Sequence, residues 1–175
     1  MSTDHIRVPL VKPGTIPKLN AIESRIMAER GRISLLYQVL LNSEPIAAGW
    51  EQMLTAVRNK TAVPPSLREL MILRVAVLNH AEFEFEAHIP HALKAGVSQE
   101  KIDYIKSIDL SELFSEEERL LLQLTDHMTL NVTVPEELMM SLSAHYNPQE
   151  VVEIVATVAA YNMVSRFLVA LNISH

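Results

Sequence analysis

The stretch from Pro65 to Leu78 leaves a helix no side to turn towards water. Its apolar positions, Leu67, Leu70, Met71, Leu73, Val75, Val77 and Leu78, cover most of a helical circumference. A helix of that kind belongs deep inside a protein. Val63, Pro64, Pro65 and Ser66 break the chain before it, and proline is tolerated in a first helical turn. The same stretch nevertheless carries Arg68, Glu69 and Arg74. A buried carboxylate without a partner is costly, so Glu69 requires a histidine or arginine from an adjacent helix.

The rest of the chain fits an all-helical pattern. Leu, Val, Ile, Ala and Met supply most of an apolar content of 49%, with aromatics at 5% and only four glycines. Helices are expected over about residues 20–30, 33–41, 45–58, 65–78, 81–95 and 98–107. Ser115 with Glu118, and Thr133 with Glu136, have capping-box spacing, opening helices to about Leu130 and about His145. Asn147, Pro148 and Glu150 supply an N-cap, a proline at the first helical position and an acid at the third, opening a helix that ends near Asn172. Gly96 is a stop signal. Pro90 removes a backbone donor inside its helix, where it predicts a bend. The expected fold class is all-α, a single-domain helical bundle over residues 19–175. Residues 1–18, with Pro9, Pro13, Gly14 and Pro17, read as an extended arm lying on the surface or on a neighbouring subunit.

Charge and composition exclude several functions. A net charge of −6 without a basic stripe argues against a nucleic-acid partner. It also means that an anionic ligand needs a local arginine or lysine. With no cysteine there is no disulfide, thiolate metal site or thiol catalysis. The N-terminus has no apolar signal core, so the expected location is the cytoplasm. Ile154 to Leu171 meets a crude length threshold for a membrane span. Thr157, Asn162, Ser165 and Arg166 lie inside it, and an arginine at a helix centre costs about 2.5–3.5 kcal/mol on insertion. A buried core helix, or one at a subunit interface, is the expected reading, with no membrane partner.

Glu84, His88 and His91 fall on one stripe of the helix expected over 81–95. Glu84 and His88 are one turn apart, about 6 Å along the axis. An acid beside an imidazole can move protons near neutral pH. A solvated polar face is one reading of the stripe, and Glu82 and Glu86 look like ordinary exposed charges. A metal site is a second, since histidine and carboxylate ligands suit zinc or iron. One helix supplies too few ligands, however, and no second Glu-x-x-His or His-x-x-x-His element appears elsewhere. The third reading is an acid–base site in which Glu69 joins from the preceding helix. Arg74 and Arg166 are candidates for holding an anionic ligand, although pairing with a protein carboxylate is the plainer expectation for each. His5, His127, His145 and His175 stand alone and read as surface or cap residues.

Residues 50–98 resemble the carboxymuconolactone decarboxylase-like superfamily. The segments that carry the resemblance run from Leu67 to Leu73, from Glu82 to His88 and from Ala92 to Ser98. The spacing from Glu69 to His88 is also similar to that of the alkyl hydroperoxidase D-like branch, which has a glutamate, a Cys-x-x-Cys pair and a histidine at these offsets. Its cysteines fall at Ala81 and Glu84 here. Thiol peroxidase chemistry needs thiolate nucleophiles, so it is disfavoured for this chain. The resemblance implies an all-α homo-oligomer, a trimer or hexamer, with sites near subunit contacts and without a metal or organic cofactor. It implies decarboxylase-like action on a small carboxylated lactone or related oxo-acid. On that reading Arg74 or Arg166 holds the substrate carboxylate and His88 delivers a proton. Glu84 orients or relays that proton, Glu69 holds His88 or an arginine, and His91 and Phe83 border the substrate. Relatives often place a tyrosine where Phe83 stands. Lactone isomerisation or hydrolysis by the same Glu–His pair, and a non-catalytic oligomeric binding protein, are the alternatives.

Overall fold

The computed structural model describes residues 5–107 and 113–174, and the described residues are helices and connecting segments without a strand. His175 and the first four residues of the expected arm lie outside them. A 3₁₀ turn, Pro17–Leu19, precedes α1 (Asn20–Arg30), α2 (Leu35–Leu40), α3 (Glu44–Asn59), α4 (Pro65–Leu78), α5 (Glu82–Lys94), α6 (Gln99–Tyr104), α7 (Glu116–Asp126), α8 (Glu136–His145) and α9 (Pro148–Ala170). Contacts cluster into two compact units. The first holds the chain up to Lys60 and from Ala170 onward, and the second holds Thr61–Val169. The expected single domain over residues 19–175 therefore spans both.

In the first unit the proline-rich arm is tied to its own chain. Arg7 N–H donates to Leu171 O (3.0 Å) and Val11 N–H to Gln38 O (3.0 Å). The Asn42 side chain donates to Pro9 O (2.7 Å), and Gly14 N–H donates to a Glu23 carboxylate oxygen (2.8 Å). Between α1 and α3, Arg30 donates to Thr55 Oγ1 (3.0 Å), which donates in turn to the buried Glu51 (2.7 Å).

In the second unit α4 is the central helix, packed most extensively on α5 and α7. Leu70, Met71, Ile72, Leu73, Val75 and Ala76 are all fully buried, as its all-round apolar pattern requires. Leu70, Leu73 and Ala76 pack with Phe85, Ala92, Ile102, Phe114 and Leu122 in one core cluster. A tight reversal joins α4 to α5. His80 N–H donates to Val77 O and Ala81 N–H to Ala76 O, with His80 in the left-handed region at φ 53°. The same Schellman pattern closes α5 through Gly96 at φ 92°. The helix is continuous across Pro90.

α9 is long and apolar enough to span a membrane by length and composition, and half of its apolar window is buried inside the protein. Its inward residues include Ile154, Val158, Tyr161, Asn162, Ser165 and Leu168, while Val152, Met163 and Val169 are exposed. A π-helical turn, His127–Asn131, follows α7 and ends on Val132 at φ 65°. A β-branched residue in that conformation is strained, and Val132 is exposed. The Val132→Asn variant is expected to be more stable by about 1 kcal/mol, since asparagine tolerates the left-handed region. Thermal denaturation checks this, and an unchanged or lower midpoint would count against the strain.

The capping box at Ser115 and Glu118 forms as expected. So does its equivalent at Asn147 and Glu150, each residue accepting from the other's backbone N–H. The box expected at Thr133 does not form. Thr133 Oγ1 donates to Asn131 O, and α8 starts only after Pro135, its N-cap. The residue before a proline is disfavoured in the helical region, so Val134 cannot open the helix.

Candidate active site

Helices α4, α5 and α9 bring four polar side chains into an apolar interior: Glu69, Glu84, His88 and Ser165, exposed by 3%, 2%, 8% and 0%. Glu69 Oε2 lies 2.7 Å from His88 Nδ1. This pairs an acid on α4 with an imidazole on α5. The His88 ring meets the Tyr161 ring edge-on, with centroids 5.1 Å apart and planes at 88°. The His91 ring lies 5.5 Å away on the other contact. The imidazole is thus fixed in both position and plane.

Glu84 turns to α9 rather than to His88. Ser165 Oγ donates to Glu84 Oε2. Oε1 is buried and has no hydrogen-bond partner among the described residues. Burial pushes the Glu84 carboxyl up to about 8, against a smaller lowering by the Ser165 hydroxyl. At neutral pH the group is therefore a carboxylic acid. A glutamate kept neutral in this way is a hydrogen-bond donor.

This shift has a stability consequence. The folded form holds the proton between the unfolded value of 4.5 and about 8, whereas the unfolded form has lost it. Stability from this group is therefore complete below about pH 4.5 and falls as pH rises through 8, by about 1.4 kcal/mol per pH unit within the window. The Glu84→Gln variant carries no such loss. Melting curves at pH 5 and pH 8 should show the variant gaining on the parent at the higher pH; a constant difference would contradict the burial of an ionisable carboxyl.

α9 is held in register by a buried amide. Asn162 donates to Thr129 Oγ1 (2.9 Å) and Val158 O (3.0 Å). Its oxygen accepts from Asn79 (3.0 Å) and from Arg166 Nη1 (2.8 Å). The π turn after α7 carries Thr129, and Asn79 caps α4. This network pins the helix that presents Tyr161 and Ser165.

The sequence-derived candidates separate accordingly. Glu69, His88 and His91 come together, and Glu84 sits one turn before His88 on α5. Phe83 is half-buried on α5 and His91 is exposed. Arg74 is engaged elsewhere. Its Nε and Nη2 donate to the two carboxylate oxygens of Asp126 (2.6 and 2.8 Å), and its Nη1 donates to Ile105 O and Ser107 O. It takes no part in the mechanism below. Arg166 is exposed and donates to Asn162. Ser165 and Tyr161 are the site residues that pattern reading missed. Their signal is a set of polar groups inside the most apolar helix, where each needs a partner. Arg68 Nε lies 3.9 Å from Glu69 Oε1, and its side chain is 11% exposed. Among the described residues no group of three or more His, Asp or Glu side chains is placed to hold a metal ion.

Residues 44–126 match the carboxymuconolactone decarboxylase family. The uncharacterized protein YdfG of Bacillus subtilis strain 168 is 27% identical over 115 residues, covering 65% of this chain and 78% of that protein. An uncharacterized peroxidase-related protein from Silicibacter sp. TM1040 has the same fold, with a TM-score of 0.82 at 13% identity over 99% of this chain and 94% of that one. So does the debrominase Bmp8, with a TM-score of 0.78 at 14% identity over 98% and 91%. The glutamate on α4 and the histidine on α5 both lie in the segment that matches the carboxymuconolactone decarboxylase family, and the chain has no Cys-x-x-Cys pair.

Proposed function

We propose that the site carries out a cofactor-independent decarboxylation of a small carboxylated lactone or related oxo-acid. The observation that carries this reading is the buried Glu69–His88 pair, with the buried Glu84 one turn before His88 on α5. One acid has a buried oxygen without a hydrogen-bond partner among the described residues, and one imidazole is held by a second acid. The bond between the substrate's ring or chain carbon and its carboxylate breaks, and CO2 leaves. The electron pair passes into the conjugated carbonyl and forms an enolate. Glu84 Oε1–H donates to the enolate oxygen, where charge develops. His88 Nε2–H delivers a proton to the carbon, and Glu69 stabilises the imidazolium that serves as donor. Solvent then reprotonates His88.

The same reading extends to self-association. Val152, Met163 and Val169 on the outward side of α9 are the apolar surface for a second copy of the chain.

The test is CO2 release from purified protein against a panel of carboxylated lactones and β-keto acids, with Glu84→Gln beside the parent. Release that falls in the variant supports decarboxylation at this site. A product that keeps its carboxyl group would replace it with lactone isomerisation or hydrolysis by the same residues.

A further inference from the structure

A cavity of about 400 Å³ lies wholly within the first unit, between α1 and α3. That volume is within the range of small-molecule sites. Two of its lining side chains, Glu51 and Thr55, are buried, each 4% exposed. Arg25, Glu29, Gln52 and Lys60 line it from the exposed side. Arg30 donating to Thr55 (3.0 Å) and Asn59 donating to Glu29 (3.3 Å) tie the two helices together beside it.

The protein leaves the buried carboxylate half used. Glu51 Oε1 accepts from Thr55 (2.7 Å), and Arg30 reaches Glu51 through that hydroxyl rather than by a direct ion pair. Glu51 Oε2 makes no hydrogen bond among the described residues and is not a sealed-off atom, so it opens onto the cavity. Arg25 and Lys60 form no ion pair among the described residues. Glu51 and Lys60 are nine residues apart on α3 and its cap, about 13.5 Å by helical rise. Their side chains reach inward from those ends, which leaves a gap between an anion at the floor and a cation at the rim. The two cations and two carboxylates of the lining cancel.

We propose that this cavity binds a small dipolar ligand, an amine and a carboxylate joined by a short flexible chain. The ammonium donates to Glu51 Oε2, and the carboxylate accepts from Lys60 and Arg25. A purely anionic ligand would bring its charge against Glu51 and Glu29, and a purely cationic one would leave Lys60 and Arg25 unmatched. The binding is independent of the proposed decarboxylation, whose residues belong to the second unit.

The probe is 6-aminohexanoate, with hexanoate and hexylamine as its singly charged counterparts. Calorimetry measures affinity, and the amide NMR signals of α1 and α3 locate the bound molecule. The parent protein is expected to bind 6-aminohexanoate more tightly than either counterpart, with the largest shifts at Glu51, Thr55 and Lys60. Glu51→Gln should weaken binding by roughly tenfold, the value of a charge-assisted hydrogen bond. Lys60→Met should weaken it by a smaller factor, since Lys60 is exposed, and Lys60→Arg should recover that part. Lys94→Met, which removes an exposed charge from α5, controls for net charge and should bind as the parent does. The Glu51→Gln side chain keeps an oxygen for the Thr55 hydroxyl, and melting curves establish that the variant is folded. No binding of 6-aminohexanoate by the parent overturns the site, as does equal binding of either counterpart. Binding by Glu51→Gln or Lys60→Met that equals the parent's, or shifts that fall outside α1 and α3, overturns it as well.

Discussion

Replacing His88 by alanine is expected to lower turnover by about 10²–10⁴-fold, the range for loss of a general acid. The expectation follows from geometry. Nδ1 is held by Glu69 at 2.7 Å and the ring is packed against Tyr161 and His91, so the imidazole is fixed in place as a proton donor. Glu84 is one turn away and bonded to Ser165. The variant also leaves Glu69 buried beside Arg68 at 3.9 Å, which costs stability, so the rate must be referred to folded protein. Glu69→Gln should separate the two effects. It keeps a hydrogen-bonding partner for His88 but stabilises the imidazolium less, so turnover should fall while the fold is kept. Full activity in folded His88→Ala would remove His88 from the chemistry.

The largest stability effect is expected at Arg74. Replacing it by methionine should destabilise the fold by about 3–5 kcal/mol, the cost of breaking a buried ion pair from one side. Arg74 joins α4 to Asp126 at the end of α7 and to the carbonyls of Ile105 and Ser107 after α6. Removing it strands a carboxylate and two carbonyls at once. The double variant Arg74→Met/Asp126→Leu should recover part of the loss, because an apolar pair removes the unpaired charge but not the stranded carbonyls. Urea denaturation of both variants and the parent measures this. A loss below about 1 kcal/mol in Arg74→Met would show that the ion pair is not structural.

Local pattern carried most of the fold. α4 runs over the expected residues because its apolar circumference and flanking prolines are local properties, and Gly96 ends α5 by supplying a left-handed residue at low cost. The misread start of α8 is local as well: Pro135 outweighs Thr133 because the steric restriction on Val134 acts before any cap can form. The π turn after α7 had no sequence signal, since it depends on Thr129 reaching Asn162 on α9. The site divides along the same line. That a buried Glu69 needs a cationic or imidazole partner is readable from a single helix. That Glu84 bonds to Ser165, 81 residues away, and Arg74 to Asp126, 52 residues away, depends on helix packing that periodicity does not encode.

The central claim is that Glu84 is held as a neutral acid, ready to donate from Oε1, in the folded site. Carbon-13 NMR of glutamate-labelled protein titrates every side-chain carboxyl at once, and comparison with Glu84→Gln assigns the signal. The account predicts one carboxyl with a midpoint near 8 that disappears in the variant. If the signal that disappears instead titrates below about pH 5, as an ordinary glutamate does, Glu84 is ionised at neutral pH and cannot be the donor that the mechanism requires.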